Sequence, residues 1–226
     1  MLLSVIKITE RLAYAASKAR CKFIYVSSTG IYGSEKLDDP YTEYDNVNPT
    51  TNCHRSKWLG EQAVNNFLID ALIIRTGWLF GGNPNSEKNF VARRIEEALN
   101  SPSKHIKSNL NQKGVPTYVN DFAIMLHNLI QNNEAGTFNL VNQGSASRFD
   151  YVSKIIEIAG LDVKIFPTVA KFFNRKAKVS DNEMAKSLKI MQLGYNDLPF
   201  WNESLKRYIE DELHVWPEDK LRIVKN

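Results

Sequence analysis

The chain has 226 residues, of which 43% are hydrophobic and 24% charged, and this composition predicts a globular protein with a sizeable core. The net charge of +4 is too small to indicate a nucleic-acid partner, and no recognition motif accompanies it. No run of roughly 18 apolar residues occurs, so no membrane span is predicted. Two cysteines, Cys21 and Cys53, are too few for a disulfide framework, which indicates a cytoplasmic chain.

The first third of the chain alternates between helical and strand patterns. The spacing of apolar residues predicts a helix over 3–18, and a continuous apolar run predicts a strand over 21–28 that is buried on both faces. A second helix is predicted over 54–69 and a second buried strand over 71–80. Strand, helix and strand at this spacing form a βαβ unit, so the predicted fold class is α/β with a parallel, doubly wound sheet.

Beyond Gly82 the patterns predict mainly helices. Helices are predicted over 86–99, 121–131 and 201–213, and a short strand over 136–142. Ser147 with Asp150 three residues later predicts a helix start. Gly160 predicts the end of that helix. Ser180 and Glu183 repeat the capping pattern, which predicts a further helix start.

Two polar stretches stand out, Ser27–Gly33 and Asn48–Glu61. The first begins with three hydroxyl side chains at the carboxyl end of the first predicted strand. Ligands of open α/β sheets bind outside the carboxyl ends of the strands, so this stretch is a candidate binding site. The alternative interpretation is that these hydroxyls only cap the strand and the turn after it.

Together the two stretches resemble the extended short-chain dehydrogenase/reductase superfamily, also called the NAD-dependent epimerase/dehydratase superfamily. Its members carry a Ser or Thr after this strand and a Tyr-x-x-x-Lys motif on the next helix, which puts phenol and ammonium on one helical face. The resemblance implies that the lysine lowers the pKa of the phenol, which exchanges a proton with the carbinol oxygen. It further implies that the Ser or Thr holds that oxygen, that the lysine binds the nicotinamide ribose, and that NAD(P)H is the cofactor.

Four further segments narrow the resemblance to the dTDP-4-dehydrorhamnose reductase branch. In chain order they read IIRTGWLFGG, NFVARRIEEAL, NQKGVPTYVNDFA and GTFNLVNQGSASRFDYVSKIIEIAG. The resemblance runs from about residue 3 to residue 213. It implies reduction of the 4-keto group of a nucleotide-linked 6-deoxyhexose, with a dTDP-deoxyhexose as the partner molecule.

Three residues take positions of the family's site. The resemblance puts Ser28 at the Ser/Thr position, Lys57 at the lysine position, and Trp78 where a tryptophan lies against the sugar. For Trp78 the alternative is ordinary core packing. Pro116 and Thr117 match a loop that borders the substrate pocket, with a plain turn as the alternative.

The family's catalytic tyrosine is replaced by Cys53, four residues before Lys57. A free thiol has a pKa of about 8.5 against about 10 for a phenol, so it could ionise beside Lys57. The cysteine side chain is much shorter than tyrosine, however, and a thiol is a weak hydrogen-bond donor. Tyr41 and Tyr44, on the preceding loop, are alternative proton donors.

The cofactor half of the family pattern is missing from the 226 residues. Family members begin with a strand, a Gly-x-x-Gly-x-x-Gly turn and a helix, whose amides receive the pyrophosphate. No such motif occurs here, since Gly81 and Gly82 are followed by Asn-Pro. The expectation is an amino-terminally truncated chain that starts after the first four strands of the family's domain and binds no NAD(P)H by itself.

The resemblance also predicts the domain organisation. Residues 1–82 are expected to form the remaining part of the nucleotide-binding domain, and 83–226 mainly a substrate-binding lobe, with 120–145 returning to the sheet. The strand over 21–28 would then be an edge strand with unpaired backbone groups. We expect a second copy of this chain, or a complementing chain, to cover that edge.

Several functional hypotheses remain open at this point. The first is a truncated or degenerate reductase that is inactive as a single chain. The others are a binding subunit that complements a full-length relative, a reductase split across two polypeptides, and an epimerase or dehydratase of the same superfamily. No metal site is expected, because the four histidines show no ligand spacing. A nucleophilic Cys53 with His54 is disfavoured because adjacent helix residues point apart. The basic residues between 164 and 189 fit two interpretations, a solvated face or a surface that attracts the diphosphate of the substrate.

Overall fold

The computed structural model describes residues 2–169 and 179–213, with side chains from residue 6 onward. Its helices α1 to α7 are Leu2–Ala19, Asn52–Asn65, Phe90–Leu99, Val119–Gln131, Arg148–Ile158, Leu188–Gln192 and Trp201–Arg207. Its strands β1 to β9 are Ile24–Ser28, Leu72–Thr76, Leu79–Phe80, His105–Asn109, Lys113–Gly114, Thr117–Tyr118, Gly136–Asn139, Ala146–Ser147 and Lys164–Thr168. Among the helices of these described residues, none is both long and apolar enough to cross a bilayer.

The chain divides into two compact units. The first unit consists of Met1–Gly77, Ala123–Val141 and Arg175–Asp197. The second consists of Trp78–Phe122, Asn142–Asn174 and Leu198–Asn226. The chain thus first changes unit between Gly77 and Trp78, and the functional division at residue 82 stays a prediction.

The first unit contains a three-stranded parallel sheet in the order β1-β2-β7. Ile24 pairs with Leu72 and Ser28 with Thr76, while Leu72 also pairs with Gly136 on the other side. The α/β fold class with parallel strands is therefore confirmed. In the described residues β1 is an edge strand, whereas all five residues of β2 are buried.

Two features of β1 and β2 differ from the sequence-based expectation. Burial of the first strand on both faces is wrong, because Val26 is 40% exposed at the sheet edge, where β1 has a neighbouring strand on one side only. The second strand is not continuous over 71–80, because β2 ends at Thr76 and Trp78 has a positive φ of 45°. The short strand β3 that follows pairs with β6 in the second unit.

The expected helix start at Ser180 is also wrong. Its hydroxyl accepts a hydrogen bond from the backbone N–H of Asn182 at 3.1 Å, so it closes a local turn instead of capping a helix. It also donates to the carbonyl of Gly33. The next helix, α6, begins only at Leu188.

The core of the first unit lies between the sheet and the helices α1 and α2. Small residues of α1, Ala13 and Ala16, pack with Val64, Leu68 and Ile73. The small side chains let the helix lie close to its neighbours, which buries the apolar side chains below it. This packing holds α2 beside β1, where the candidate site is found.

The second unit has an aromatic core. Its larger buried rings are Phe80, Tyr118, Tyr151 and Tyr208. The predicted start of α5 is confirmed, since the hydroxyl of Ser147 accepts from the N–H of Asp150 at 3.0 Å and the Asp150 carboxylate accepts from the N–H of Ser147 at 2.9 Å. This capping box fixes the first turn of α5, which carries Arg148 and Tyr151.

Candidate active site

Ser28 ends β1, and Lys57 contacts the same strand two residues earlier. Ser28 is the last residue of the strand, and its hydroxyl accepts from the backbone N–H of Gly30 at 3.2 Å. The ammonium of Lys57, on α2, donates to the carbonyl of Val26 at 2.9 Å. The ammonium of Lys57 therefore contacts β1 two residues before Ser28. The hydroxyl of Ser28 also caps the turn that follows the strand.

Cys53 lies in the first turn of α2, one helical turn before Lys57. The helix is capped by Thr51, whose hydroxyl accepts from the N–H of His54 at 3.1 Å. Cys53 is exposed and forms no disulfide. Spacing of i and i+4 puts its thiol on the same helical face as Lys57, but the side chain lacks the ring that would carry a hydroxyl further out.

The two loop tyrosines have other partners in the first unit. The hydroxyl of Tyr41 accepts from the backbone N–H of Lys36 at 2.9 Å, and the ring is 2% exposed. The hydroxyl of Tyr44 donates to the side-chain carbonyl of Gln192 at 2.8 Å. Neither phenol is thus positioned as a replacement for the missing tyrosine.

His54 is turned away from the exposed thiol beside it. Its ring lies so close to Gly30 that a Cβ atom there would collide with the imidazole. Its Nε2 is 3.8 Å from Oε1 of Glu183, and its buried Nδ1 has no hydrogen-bond partner among the described residues. This environment separates His54 from Cys53 and disfavours a Cys–His nucleophile pair.

A buried ion pair links the helix that carries Lys57 to the neighbouring strand β2. Arg75 of β2 donates to both carboxylate oxygens of Glu61 on α2, at 3.1 and 2.7 Å, and both side chains are almost fully buried. Arg75 also donates to the hydroxyl of Tyr32, which itself donates to Asn139 at 2.7 Å. Burial raises the pKa of Tyr32 to about 12, although Arg75 acts in the opposite direction. This bidentate contact ties α2 to the sheet and fixes the helix that carries Lys57.

The turns that follow β1 and β2 differ from a dinucleotide-binding turn. β1 is followed by a 3-10 turn, Thr29–Tyr32, rather than by an α-helix. At the carboxyl end of β2, Gly77 lies against the hydroxyl of Thr29, and the chain then enters the second unit. Neither turn has the glycine pattern and helix N-terminus that receive a pyrophosphate.

Trp78, in the second unit, is enclosed on both faces of its indole ring. The guanidinium carbon of Arg148 lies 3.4 Å from the ring centroid, which is a face-to-face stack. A Cβ at Gly114 would stand 2.7 Å from Cζ2 and from Nε1, and closer still to Cε2 between them, so Gly114 lies over the ring plane. Two groups at such distances would collide on one face, so they occupy opposite faces.

This enclosure agrees with the packing interpretation of Trp78, and its contact with a sugar stays a prediction. Its ring also stacks near Tyr151, with 6.3 Å between centroids, and Phe90 lies 5.3 Å from the same tyrosine. The indole is partly exposed but has no open face. Any ligand that touches Trp78 in this conformation meets the edge of the indole.

Thr117, the other matched position in the second unit, is fully buried. Its N–H donates to the carbonyl of Trp78 at 3.2 Å, and its hydroxyl donates to the carbonyl of Val115 at 3.2 Å. It therefore supports the backbone at Trp78. Four of the seven basic residues of the lysine-rich stretch, Lys171, Arg175, Lys176 and Lys178, lie outside the described residues.

Sequence reasoning missed the packing roles of Arg148 and His54. Arg148 follows a helix cap, and its stack on Trp78 depends on a contact between residues 70 positions apart. The position of His54 could have been suspected from Gly30, since a glycine in a turn often marks a close approach of another group. In the described residues, no three His, Cys, Asp or Glu side chains gather as a metal site requires.

A parallel α/β sheet with a serine at a strand's carboxyl end and a lysine on the next helix defines a Rossmann-like protein of the short-chain dehydrogenase/reductase class. Residues 6–214 match the family model of the RmlD substrate binding domain. The chain belongs to this family.

Relatives of known name support this membership. The dTDP-4-dehydrorhamnose reductase of Mycolicibacterium smegmatis is 29% identical over 197 residues, which are 86% of this chain and 59% of that protein. The solved dTDP-4-dehydrorhamnose reductase of Clostridium acetobutylicum has a TM-score of 0.83 and 30% identity, over 89% of this chain and 70% of its own. The enzyme of Bacillus anthracis, solved in complex with NADP, has a TM-score of 0.83 and 28% identity, over 90% and 70%. The chain thus spans three fifths to 70% of these proteins.

Proposed function

We propose that this chain supplies the substrate-binding and proton-transfer part of an NAD(P)H-dependent reductase of a dTDP-linked 4-keto-6-deoxyhexose. The observation that carries the proposal is that the Lys57 ammonium contacts β1 at the Val26 carbonyl, two residues before Ser28 at the carboxyl end of that strand. A hydroxyl and an ammonium at one strand end can together hold the oxygen of a sugar carbonyl and stabilise negative charge on it. The relatives named as dTDP-4-dehydrorhamnose reductases support this choice of substrate.

Each candidate residue then has one role. Ser28 donates a hydrogen bond to the keto oxygen, and Lys57 supplies positive charge beside it. Trp78 contacts the sugar through the edge of its indole, held in that position by Arg148 and Gly114. Residues 1–82 would form the remaining part of the nucleotide-binding domain, with 83–226 mainly binding substrate and 120–145 returning to the sheet.

Cys53 makes this a degenerate form of the reductase. A thiol at the tyrosine position is a poor general acid for a carbinol oxygen, because its donor atom is too close to the helix and bonds weakly. The 226 residues also lack the turn that holds the pyrophosphate of NAD(P)H. We therefore expect these 226 residues to be inactive by themselves and to need the cofactor-binding part of a reductase, in the cytoplasm.

A non-catalytic, complementing subunit is the second candidate. The open edge of β1 favours it, since an edge strand of a parallel sheet can accept a further strand from another chain. In that role the polypeptide would keep nucleotide-sugar binding while a relative provides the cofactor. An epimerase or dehydratase of the same superfamily has no observation of this kind in its favour.

Four polypeptides test the proposal: the chain itself, Cys53→Tyr, and both versions joined to the segment that precedes the match in the Mycolicibacterium smegmatis reductase. Loss of NADPH absorbance is followed with dTDP-4-keto-6-deoxyglucose epimerised at C3 and C5 as substrate. The two unfused forms should show no turnover, because the cofactor has no cradle. The fusion that carries Cys53→Tyr should be active, and the fusion that keeps Cys53 should be slower by roughly 10²- to 10⁴-fold, which is the usual effect of a positioned general acid.

Two results would contradict the proposal. Equal rates of the two fusions would show that another group supplies the proton. Turnover by the unfused chain would show that these 226 residues hold the cofactor after all. Fusions that bind dTDP but never reduce the sugar would support the complementing subunit instead.

A further inference from the structure

The outer edge of β1 has one backbone acceptor with a specific side-chain partner. The carbonyl of Phe23 accepts from the N–H of Leu72, and the register continues to Ser28 opposite Thr76. Backbone groups of successive residues in a parallel ladder alternate between the two sides of the strand. The carbonyl of Val26 therefore points away from β2, to the open edge.

Lys57 occupies this open acceptor. Its ammonium donates to the carbonyl of Val26 at 2.9 Å and lies 5.6 Å from the ring centroid of Tyr25. The Tyr25 hydroxyl in turn donates to the backbone carbonyl of Lys57 at 3.3 Å. Lys57 belongs to α2, but its ammonium lies at the sheet edge, and a charged group at an edge hinders the addition of a further strand. The residue proposed to act on the substrate thus also blocks the sheet edge.

We propose that Lys57 closes the edge of β1 in the isolated chain, and that a strand added along this edge displaces its ammonium from the Val26 carbonyl. The incoming strand takes that carbonyl through its own N–H, since the acceptors on one side of a strand pair with the neighbour on that side. Displacement frees the ammonium for the carboxyl end of β1, where Ser28 lies. Strand addition and the release of Lys57 are then one event.

The occupant of this edge is a strand parallel to β1 from the part of a reductase that this chain does not match. The three strands of this sheet that the structure describes are all parallel, so a parallel neighbour continues the same ladder. The matched relatives have polypeptide beyond the match, because this chain spans only 59% to 70% of them. Three apolar side chains, Val26 of β1 and Ile8 and Leu12 of α1, are 40% to 59% exposed. An added segment could bury this apolar area.

Release of Lys57 makes the edge and the substrate site interdependent. If the added strand frees the ammonium, a ligand that binds the freed ammonium must in turn favour the added strand. This inference rests on the proposed function only for the identity of the strand. The competition between a strand and Lys57 concerns the edge alone, and it is measured without substrate turnover.

The test uses the separately produced segment that precedes the match in the Mycolicibacterium smegmatis reductase. It is titrated calorimetrically into the full chain and into Lys57→Met, Lys57→Arg and Lys22→Met, and amide exchange of residues 24–28 is followed by mass spectrometry. Lys22 is the matched control, because its ammonium donates to the backbone carbonyl of Glu134 at 2.7 Å, a contact that does not involve the edge of β1. Lys57→Met should bind the segment about 3- to 10-fold tighter, since a charge-assisted hydrogen bond no longer has to break.

The pattern across the variants decides the inference. Affinity close to that of the unaltered chain for Lys57→Arg and Lys22→Met, with slower exchange in 24–28, would support it. Equal or weaker binding by Lys57→Met, exchange unchanged in 24–28, or no binding of the segment would overturn it. Self-association of Lys57→Met with protection of 24–28 would also overturn it, because a second copy would then be the occupant. Each of these results leaves the activity of the covalent fusions as a separate measurement of the proposed function.

Discussion

Lys57 in the first unit and Trp78 in the second differ in how fully neighbouring residues enclose them. Trp78 is covered on both ring faces, by Arg148 and by Gly114. Lys57 stands at an open strand edge, and its partner is a backbone carbonyl that a further strand would use. Among the described residues, the position of Trp78 is therefore enclosed by its neighbours, whereas that of Lys57 is bordered by strand β1 on one side only.

The largest effect is expected below the Lys57 site, at the Arg75–Glu61 pair. Arg75→Met leaves the buried Glu61 carboxylate without its cation, which should lower the free energy of unfolding by about 3–5 kcal/mol. The control is Arg94→Met, which breaks a more exposed pair with Glu97 and should cost under about 1 kcal/mol. Urea unfolding measures both. Equal losses would mean that the buried pair does not hold α2 to the sheet.

Alkaline pH should weaken the same region through Tyr32. Its pKa of about 12 in the folded chain lies above the ordinary value near 10. Below pH 10 both states keep the proton, so the full stability is present. As the pH rises from 10 to 12 only the unfolded state loses it, which should lower stability by about 2–3 kcal/mol in total. Urea unfolding between pH 9 and 11.5 should show that the unfolding free energy of Tyr32→Phe falls less steeply with pH than that of the unaltered chain. An unchanged dependence on pH would contradict this assignment.

A pair of glycine substitutions compares the two regions directly. In Gly114→Ala the new Cβ meets an indole that Arg148 blocks from behind, so we expect a loss of about 1–3 kcal/mol in unfolding free energy and a shift of tryptophan fluorescence. In Gly60→Ala the Cβ meets the hydroxyl of Tyr25, the far end of a side chain on the edge strand, which can move. A helix gain of about 1 kcal/mol should offset that contact. A larger loss for Gly60→Ala would reverse the comparison.

Two tyrosines give the smallest and sharpest contrast. The Tyr151 hydroxyl is buried without a hydrogen-bond partner among the described residues, so Tyr151→Phe should be neutral or stabilising by about 1 kcal/mol at pH 7. Tyr32→Phe should instead destabilise by about 1–3 kcal/mol, because Arg75 and Asn139 lose their shared partner. Thermal unfolding of both variants tests this. A destabilised Tyr151→Phe would indicate a water or ligand bound to that hydroxyl.

The sequence predicted those features that depend on residues close together in the chain. The parallel α/β class and the Ser147 cap were predictable, because apolar runs and capping pairs act over a few residues. The break of the second strand at Trp78 was not, since the apolar run continues through it and a positive φ at a tryptophan is uncommon. Ser180 misled for a related reason: its hydroxyl closes a turn instead of a helix.

The candidate site shows the same limit. Ser28, Cys53 and Lys57 were predicted from the family resemblance, and the structure has Ser28 at the end of β1 and Lys57 in contact with the carbonyl of Val26 in the same strand. That Lys57 would bond to the Val26 carbonyl could not be seen, because it depends on which side of β1 stays open. The stack of Arg148 on Trp78 likewise joins two segments that only the fold brings together.

The central claim is that these 226 residues keep the sugar side of a reductase site without a dinucleotide cradle. Calorimetric titration of the unaltered chain with NADPH and NADH, and separately with dTDP, tests it most directly. The claim predicts heat of binding for dTDP and none for either dinucleotide at concentrations up to about 1 mM, where a binding free energy near −4 kcal/mol would still be detected. A dissociation constant in the low micromolar range for NADPH or NADH would contradict it.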